Sequence, residues 1–126
     1  MSIIQGPAST VHFDGAIFEG DPGFLAEIVS LFLSTCPDLL SAVEDAVSRK
    51  DASALRRAAH TLKGSIASFG AKSVVAQAQT LEMIGSSGNL SGAEEGLRTL
   101  RDLVGEVLPE LQAVLEKATR QQVDNT

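Results

Sequence analysis

The sequence predicts an all-α protein, an antiparallel four-helix bundle with a short N-terminal helix covering one end. Three observations carry that prediction. Apolar residues recur at steps of three and four along four segments, the period of one helix face and not of a strand. Aromatics are 4% of the chain, all five of them Phe, while Ala, Leu and Val abound, which favours helix packing over sheets. No convincing strand, repeat or low-complexity tract interrupts the pattern.

Residues 1–13 lack periodicity and contain Gly6 and Pro7, so they read as a loose arm. Asp14 to Glu19 reads as the short covering helix. Asp21-Pro22 then supplies an N-cap followed by proline in the first turn. From there Leu25, Ile28, Phe32, Cys36, Leu39, Val43 and Ala46 mark one face of a long helix. Pro37 removes a backbone bond inside it, but the stripe keeps phase across the proline, which predicts one kinked helix. Asp51 caps a second helix with the stripe Leu55, Ala59, Leu62, Ile66 and Phe69, and Gly70 ends it in a left-handed conformation. A third runs from about Ala71 to Ile84 on Val74, Ala78 and Leu81. Gly85-Ser-Ser-Gly-Asn89 reads as a turn. The fourth carries Leu97, Leu100, Val104, Leu108, Leu111 and Leu115, with Pro109 in phase. Residues 118–126 read as a polar, flexible tail, leaving 14–117 as the bundle.

Composition narrows the functions open to such a bundle. A chain of 126 residues buries roughly two thirds of its unfolded surface, enough for a core without staples. One cysteine makes no disulfide framework, and His12, Cys36 and His60 lack the helical spacing of a bundle metal site. No uninterrupted apolar run approaches the roughly 18 residues of a membrane span, so a cytoplasmic location is expected. A net charge of −6 and the lack of Trp and Tyr disfavour nucleic acid and anionic membranes as partners. Cys36 falls on the apolar stripe as a small buried hydrophobe. A bundle complete in one chain points to a monomer.

The charge is unevenly spread. Residues 1–48 hold seven acids and no base, and residues 73–126 hold eight acids and four bases. Between them, Arg49, Lys50, Arg56, Arg57, Lys63 and Lys72 face only Asp51, a net +5 from six bases and one acid. Such a segment is either a solvated helix face or a site that handles an anion.

His60 favours the second reading. At about 100° per residue it shares a face with Ser53, Arg56, Lys63, Gly64 and Ala67, within roughly 60°. The apolar stripe lies roughly 100–180° away, so the imidazole points outward. Lys63, one turn on, reaches the same space, and its three ammonium donors suit a doubly charged phosphoryl group. Gly64 costs about 1 kcal/mol relative to Ala in a helix interior. It lies on the outer face, so an empty volume beside His60, where another molecule approaches, accounts for it. Hairpin arithmetic brings in a fourth residue. With the turn near Gly70, His60 and Glu82 each sit about 15–18 Å from it on adjacent antiparallel helices. Glu82 could then accept a bond from Nδ1–H, leaving Nε2 as a nucleophile, with Gln79 as the substitute if the register differs.

The run His60-Thr-Leu-Lys63-Gly64-Ser65, followed by Phe69-Gly70-Ala71 and Leu81-Glu82, closely resembles the histidine-containing phosphotransfer (HPt) domain. The resemblance covers roughly residues 14–116, including Gly20-Asp21 and the Phe32 to Pro37 stretch. It implies a phosphoryl carrier, not an enzyme, in a multistep two-component relay. The histidine matching His60 would take phosphate from a receiver-domain aspartyl phosphate and pass it to a second receiver. The residues matching Lys63 and Gly64 would assist the phosphoryl group and give it room, and the one matching Glu82 would orient the ring. The sequence has no Gly-rich nucleotide loop, so no cofactor is expected, and a carrier leaves Mg²⁺ to its receiver. Arg56, Arg57, Ala67 and Lys72 are expected to meet the receiver, the three bases as a rim toward an acidic face.

Two other readings compete. A phosphorylation-independent helical adaptor would dock a signalling partner and leave His60 dispensable. The substrate domain of a hybrid or chemotaxis-type histidine kinase would need a kinase module, for which 126 residues starting at Met leave no room.

Overall fold

The structure, a computed structural model, describes residues 22–124. The arm over 1–13, the short helix over 14–19 and the cap at Asp21 lie outside the described residues. Four helices follow in order: α1 (Pro22–Arg49), α2 (Ala52–Ala67), α3 (Lys72–Ser87) and α4 (Ala93–Asp124), with no strand among the described residues. Each helix packs on its neighbours in sequence and α1 packs on α4, which closes the ring of an antiparallel bundle.

Helix α1 runs through Pro37 without interruption because its contacts lie on one face either side of the proline. Phe32 and Cys36 before it and Val43 and Ala46 after it are all buried. Burial pushes the Cys36 thiol above its ordinary pKa, which keeps it protonated and inert. By length and mean hydropathy (1.5), Gly23–Arg49 is long and apolar enough to cross a membrane, although polar residues interrupt its apolar run. In the bundle its stripe faces the core, while Phe24 and Leu31 stay exposed.

The turn into α2 is set by local chemistry. Lys50 takes φ 57°, its N–H and that of Asp51 closing on the Val47 and Ala46 carbonyls. The Asp51 carboxylate then accepts from the Ala54 amide at 3.0 Å, satisfying one of the donors that a helix start leaves open. Leu55, Ala59, Leu62 and Ile66 are at most 2% exposed, so this stripe is core along its whole length.

Helix α2 ends at Ala67, and Phe69 follows it as an anchor. Its ring lies 5.3 Å from that of Phe32 and is 2% exposed, while Gly70 at φ 69° reverses the chain. A residue with Cβ would be strained there. This anchored reversal fixes the register of α2 against α3, and the register places the site.

Two helix ends differ from the sequence reading. Helix α3 does not stop at Ile84 but continues through Gly85 to Ser87, capped by Gly88 at φ 79°. Gly85 is buried and extends the stripe of Val74, Ala78 and Leu81, so tertiary packing outweighs the turn-like composition of Gly-Ser-Ser-Gly. Helix α4 runs to Asp124, past the expected start of a tail at 118. Ala118 is 1% exposed, and that buried contact carries the helix onward. The core among the described residues contains no buried polar side chain.

Candidate functional site

The hairpin of α2 and α3 carries the polar cluster. His60 stands on the outer face of α2 with its side chain 65% exposed. Its Nδ1 lies 2.9 Å from Glu82 Oε2 on α3. Lys63, one turn along α2, sets its Nζ 2.7 Å from Glu82 Oε1 and 2.9 Å from Gln79 Oε1. Of the two residues that register arithmetic offers to His60, Glu82 reaches the ring and Gln79 reaches Lys63.

Charge fixes the proton positions. Lys63 beside Glu82 holds the carboxyl below the usual carboxylate range. Burial opposes that shift, and the hydrogen bond from His60 adds to it. An ionised carboxylate only accepts hydrogen bonds, so Nδ1 carries the proton and donates it to Oε2. In the neutral ring Nε2 then holds the lone pair, with the rest of the ring free toward solvent. The same carboxylate stands ready to stabilise positive charge on the imidazole. Oε1 is buried with the Lys63 ammonium as its counter-charge, so Lys63 acts first on Glu82 and through it on His60.

That is a departure from the sequence reading of Lys63. The wheel places its Cα on the outer face with His60, but its ammonium folds back into the seam and the side chain is only 23% exposed. A wheel gives the direction of a side chain's first bond, not where four flexible methylenes carry the charge. Gly64 behaves otherwise: a Cβ built on it meets nothing within 4 Å. Among the described residues no helix presses on it, and the space beside His60 is open.

The expected rim is spread out. Arg56 is exposed one turn before His60, and Arg57 turns its guanidinium onto the Ser53 hydroxyl at 2.6 Å. Ala67 and Lys72 are exposed at the far end of the hairpin. Arg49 is drawn off by Asp45 and Asp51, at 2.8 and 3.8 Å, so part of the basic segment is neutralised locally. The sequence reading missed Met83, 60% exposed beside Glu82. Its angle on α3, about 200° from Leu81 at 100° per residue, is the signal that would have found it.

His60, Lys63, Gly64 and Glu82 line none of the three principal surface grooves. The largest, of about 840 Å³, lies between the N-terminal half of α1 and the end of α4, lined by Phe24, Leu31 and Leu115 among others. Small-molecule sites are concave and enclose their ligand. This cluster lines none of those grooves, and its imidazole stands open to solvent. Among the described residues, no group of His, Cys, Asp and Glu is arranged to hold a metal ion.

No curated protein and no solved structure matches the chain. The Hpt domain family matches residues 27–120, a span that holds His60, its three polar neighbours and most of all four helices. On that match, with the all-helical bundle beneath it, the chain belongs to the Hpt domain family, the phosphotransfer modules of two-component signalling.

Proposed function

We propose that the chain is a phosphoryl carrier that accepts phosphate on His60 Nε2 from a receiver-domain aspartyl phosphate and passes it to another receiver. The observation that carries this reading is the Nδ1–Glu82 bond of 2.9 Å on an imidazole that is 65% exposed. It commits the proton to one nitrogen and leaves the other as an accessible nucleophile. The Nε2 lone pair attacks phosphorus in line, and the bond from phosphorus to the aspartyl oxygen breaks. The carboxylate leaves with the electron pair. Nδ1 keeps its proton throughout. The ring's positive charge is met by Glu82, and the reverse sequence delivers the group to the second receiver. Gly64 leaves room for the transferring group, and Arg56 and Lys72 face the partner's acidic surface.

Transfer of labelled phosphate from a panel of phosphorylated receiver domains tests the reading. Acid-labile, alkali-stable label is expected on the wild type and not on His60→Gln. A folded wild type that takes no label from active donors would sink the carrier reading in favour of a phosphorylation-independent adaptor. The rim is tested separately by neutralising Arg56, Arg57 and Lys72 together. Association should slow about tenfold at low salt and differ little at high salt. Equal rates at low salt would remove the rim from the docking surface.

A further inference from the structure

The Lys63 ammonium is held from two sides within the hairpin: its charge is paired with Glu82 Oε1 at 2.7 Å, and one of its three N–H donors bonds Gln79 Oε1 at 2.9 Å. Because an ammonium only donates, the Gln79 amide must present its oxygen to it. Glu82 and Gln79 stand one turn apart on α3, as His60 and Lys63 do on α2. The four side chains therefore zigzag across the seam in the order His60, Glu82, Lys63, Gln79. A lysine held by Glu82 alone would keep much of its torsional freedom, and a second acceptor on the far side removes it.

The chemistry of the second acceptor matters as much as its place. A neutral amide contributes a hydrogen bond but no net charge, so a phosphoryl group displaces it readily. A carboxylate at the same position would compete for the ammonium. We propose that Gln79 is a positioning residue for phosphotransfer, tethering Lys63 beside Glu82 in the unphosphorylated carrier and releasing it to the phosphoryl group formed on His60. The inference rests on the carrier reading above and adds a residue and a role to it. Gln79 acts only through Lys63 and touches neither the ring nor the transferring group.

The test compares the full chain with Gln79→Met, Gln79→Glu and the surface control Gln112→Met. Two measurements are needed: single-turnover transfer from a phosphorylated receiver domain, and the NMR signal of the Lys63 side-chain ammonium. In the wild type and the control, that signal should persist against exchange with water. In Gln79→Met it should be lost, and the transfer rate at saturating donor should fall about threefold with the half-saturating donor concentration unchanged. In Gln79→Glu the signal should persist, while the equilibrium shifts about threefold away from phosphohistidine. A purely structural glutamine would leave the ammonium signal and the equilibrium alone. Label on the wild type with both Gln79 variants behaving like it overturns this inference and leaves the carrier reading standing. No label on the wild type overturns both.

Discussion

Gly64 and Gly85 lie on the two helices of one hairpin, and each costs about 1 kcal/mol relative to alanine in a helix interior. Their surroundings are opposite. A Cβ on Gly64 meets nothing within 4 Å, whereas one on Gly85 would lie 2.6 Å from the Arg56 amide nitrogen and 2.7 Å from the Ala52 carbonyl oxygen. Gly85 is glycine because the first turn of α2 presses on it. Gly64 faces open space, and no contact among the described residues requires it. The same residue thus lies in a packed seam in one place and on an open face in the other, and only the neighbours distinguish them.

The sharpest way to break the comparison is Gly85→Ala. The added methyl meets backbone atoms that no side-chain rotation can clear, so α3 must move away from α2. Overpacking of this kind costs about 1–3 kcal/mol, and the gain in helix propensity returns a part of it. A net loss of about 1 kcal/mol is expected, a fall in Tm of roughly 4 °C. Thermal unfolding followed by circular dichroism measures it. An unchanged Tm would mean that the seam yields, and that Gly85 is no more constrained than Gly64.

Gly64→Ala should move stability the other way. With nothing to strike, the methyl adds only its propensity, about 0.5–1 kcal/mol of stabilisation or roughly 2–4 °C in Tm. Under the proposed carrier role the same methyl intrudes on the space of the transferring group, and transfer should slow about tenfold. A variant that is both more stable and slower is the signature of a glycine kept for an incoming molecule. A more stable variant with undiminished transfer would leave Gly64 without a part in the reaction.

The two glycines also show which parts of the molecule the sequence discloses. Helix phase is legible because the stripes recur at steps of three and four along each helix, from Phe32 in α1 to Leu111 in α4, and phase alone turns His60 outward. Counting residues back from Gly70 brings Glu82 level with it, because the turn is short and Phe69 anchors it. What composition hides is contact between elements. Gly85 stands in a run of Gly and Ser that reads as a turn, and only its continuation of the Val74, Ala78 and Leu81 stripe hints that it is buried. The course of the Lys63 ammonium is hidden for another reason. It depends on two acceptors on a different helix, and neither wheel nor motif carries that information.

The site's own electrostatics give the smallest effect and the one most specific to Glu82. Its carboxyl titrates below the usual range, chiefly because Lys63 and then His60 bond to the ionised form. A carboxyl whose folded pKa lies under its unfolded one binds fewer protons in the native state as the pH falls through that interval. Its contribution to stability is therefore complete above the ordinary glutamate pKa and is lost as the pH falls through the depressed folded value. Glu82→Gln removes that contribution at every pH. The difference in unfolding free energy between wild type and variant should be constant from neutral pH down to the ordinary carboxylate range and then shrink. The contribution at stake is small, because the cluster sits at the surface and salt screens it. Urea unfolding of both proteins from pH 7 to about pH 3, at low ionic strength, checks it. Curves that stay parallel through the acid limb would show that Lys63 does not hold the Glu82 charge. With that charge unheld, the fixed tautomer of His60 would lose its physical basis, and the contrast between a working outer face and a packed inner seam would reduce to packing alone.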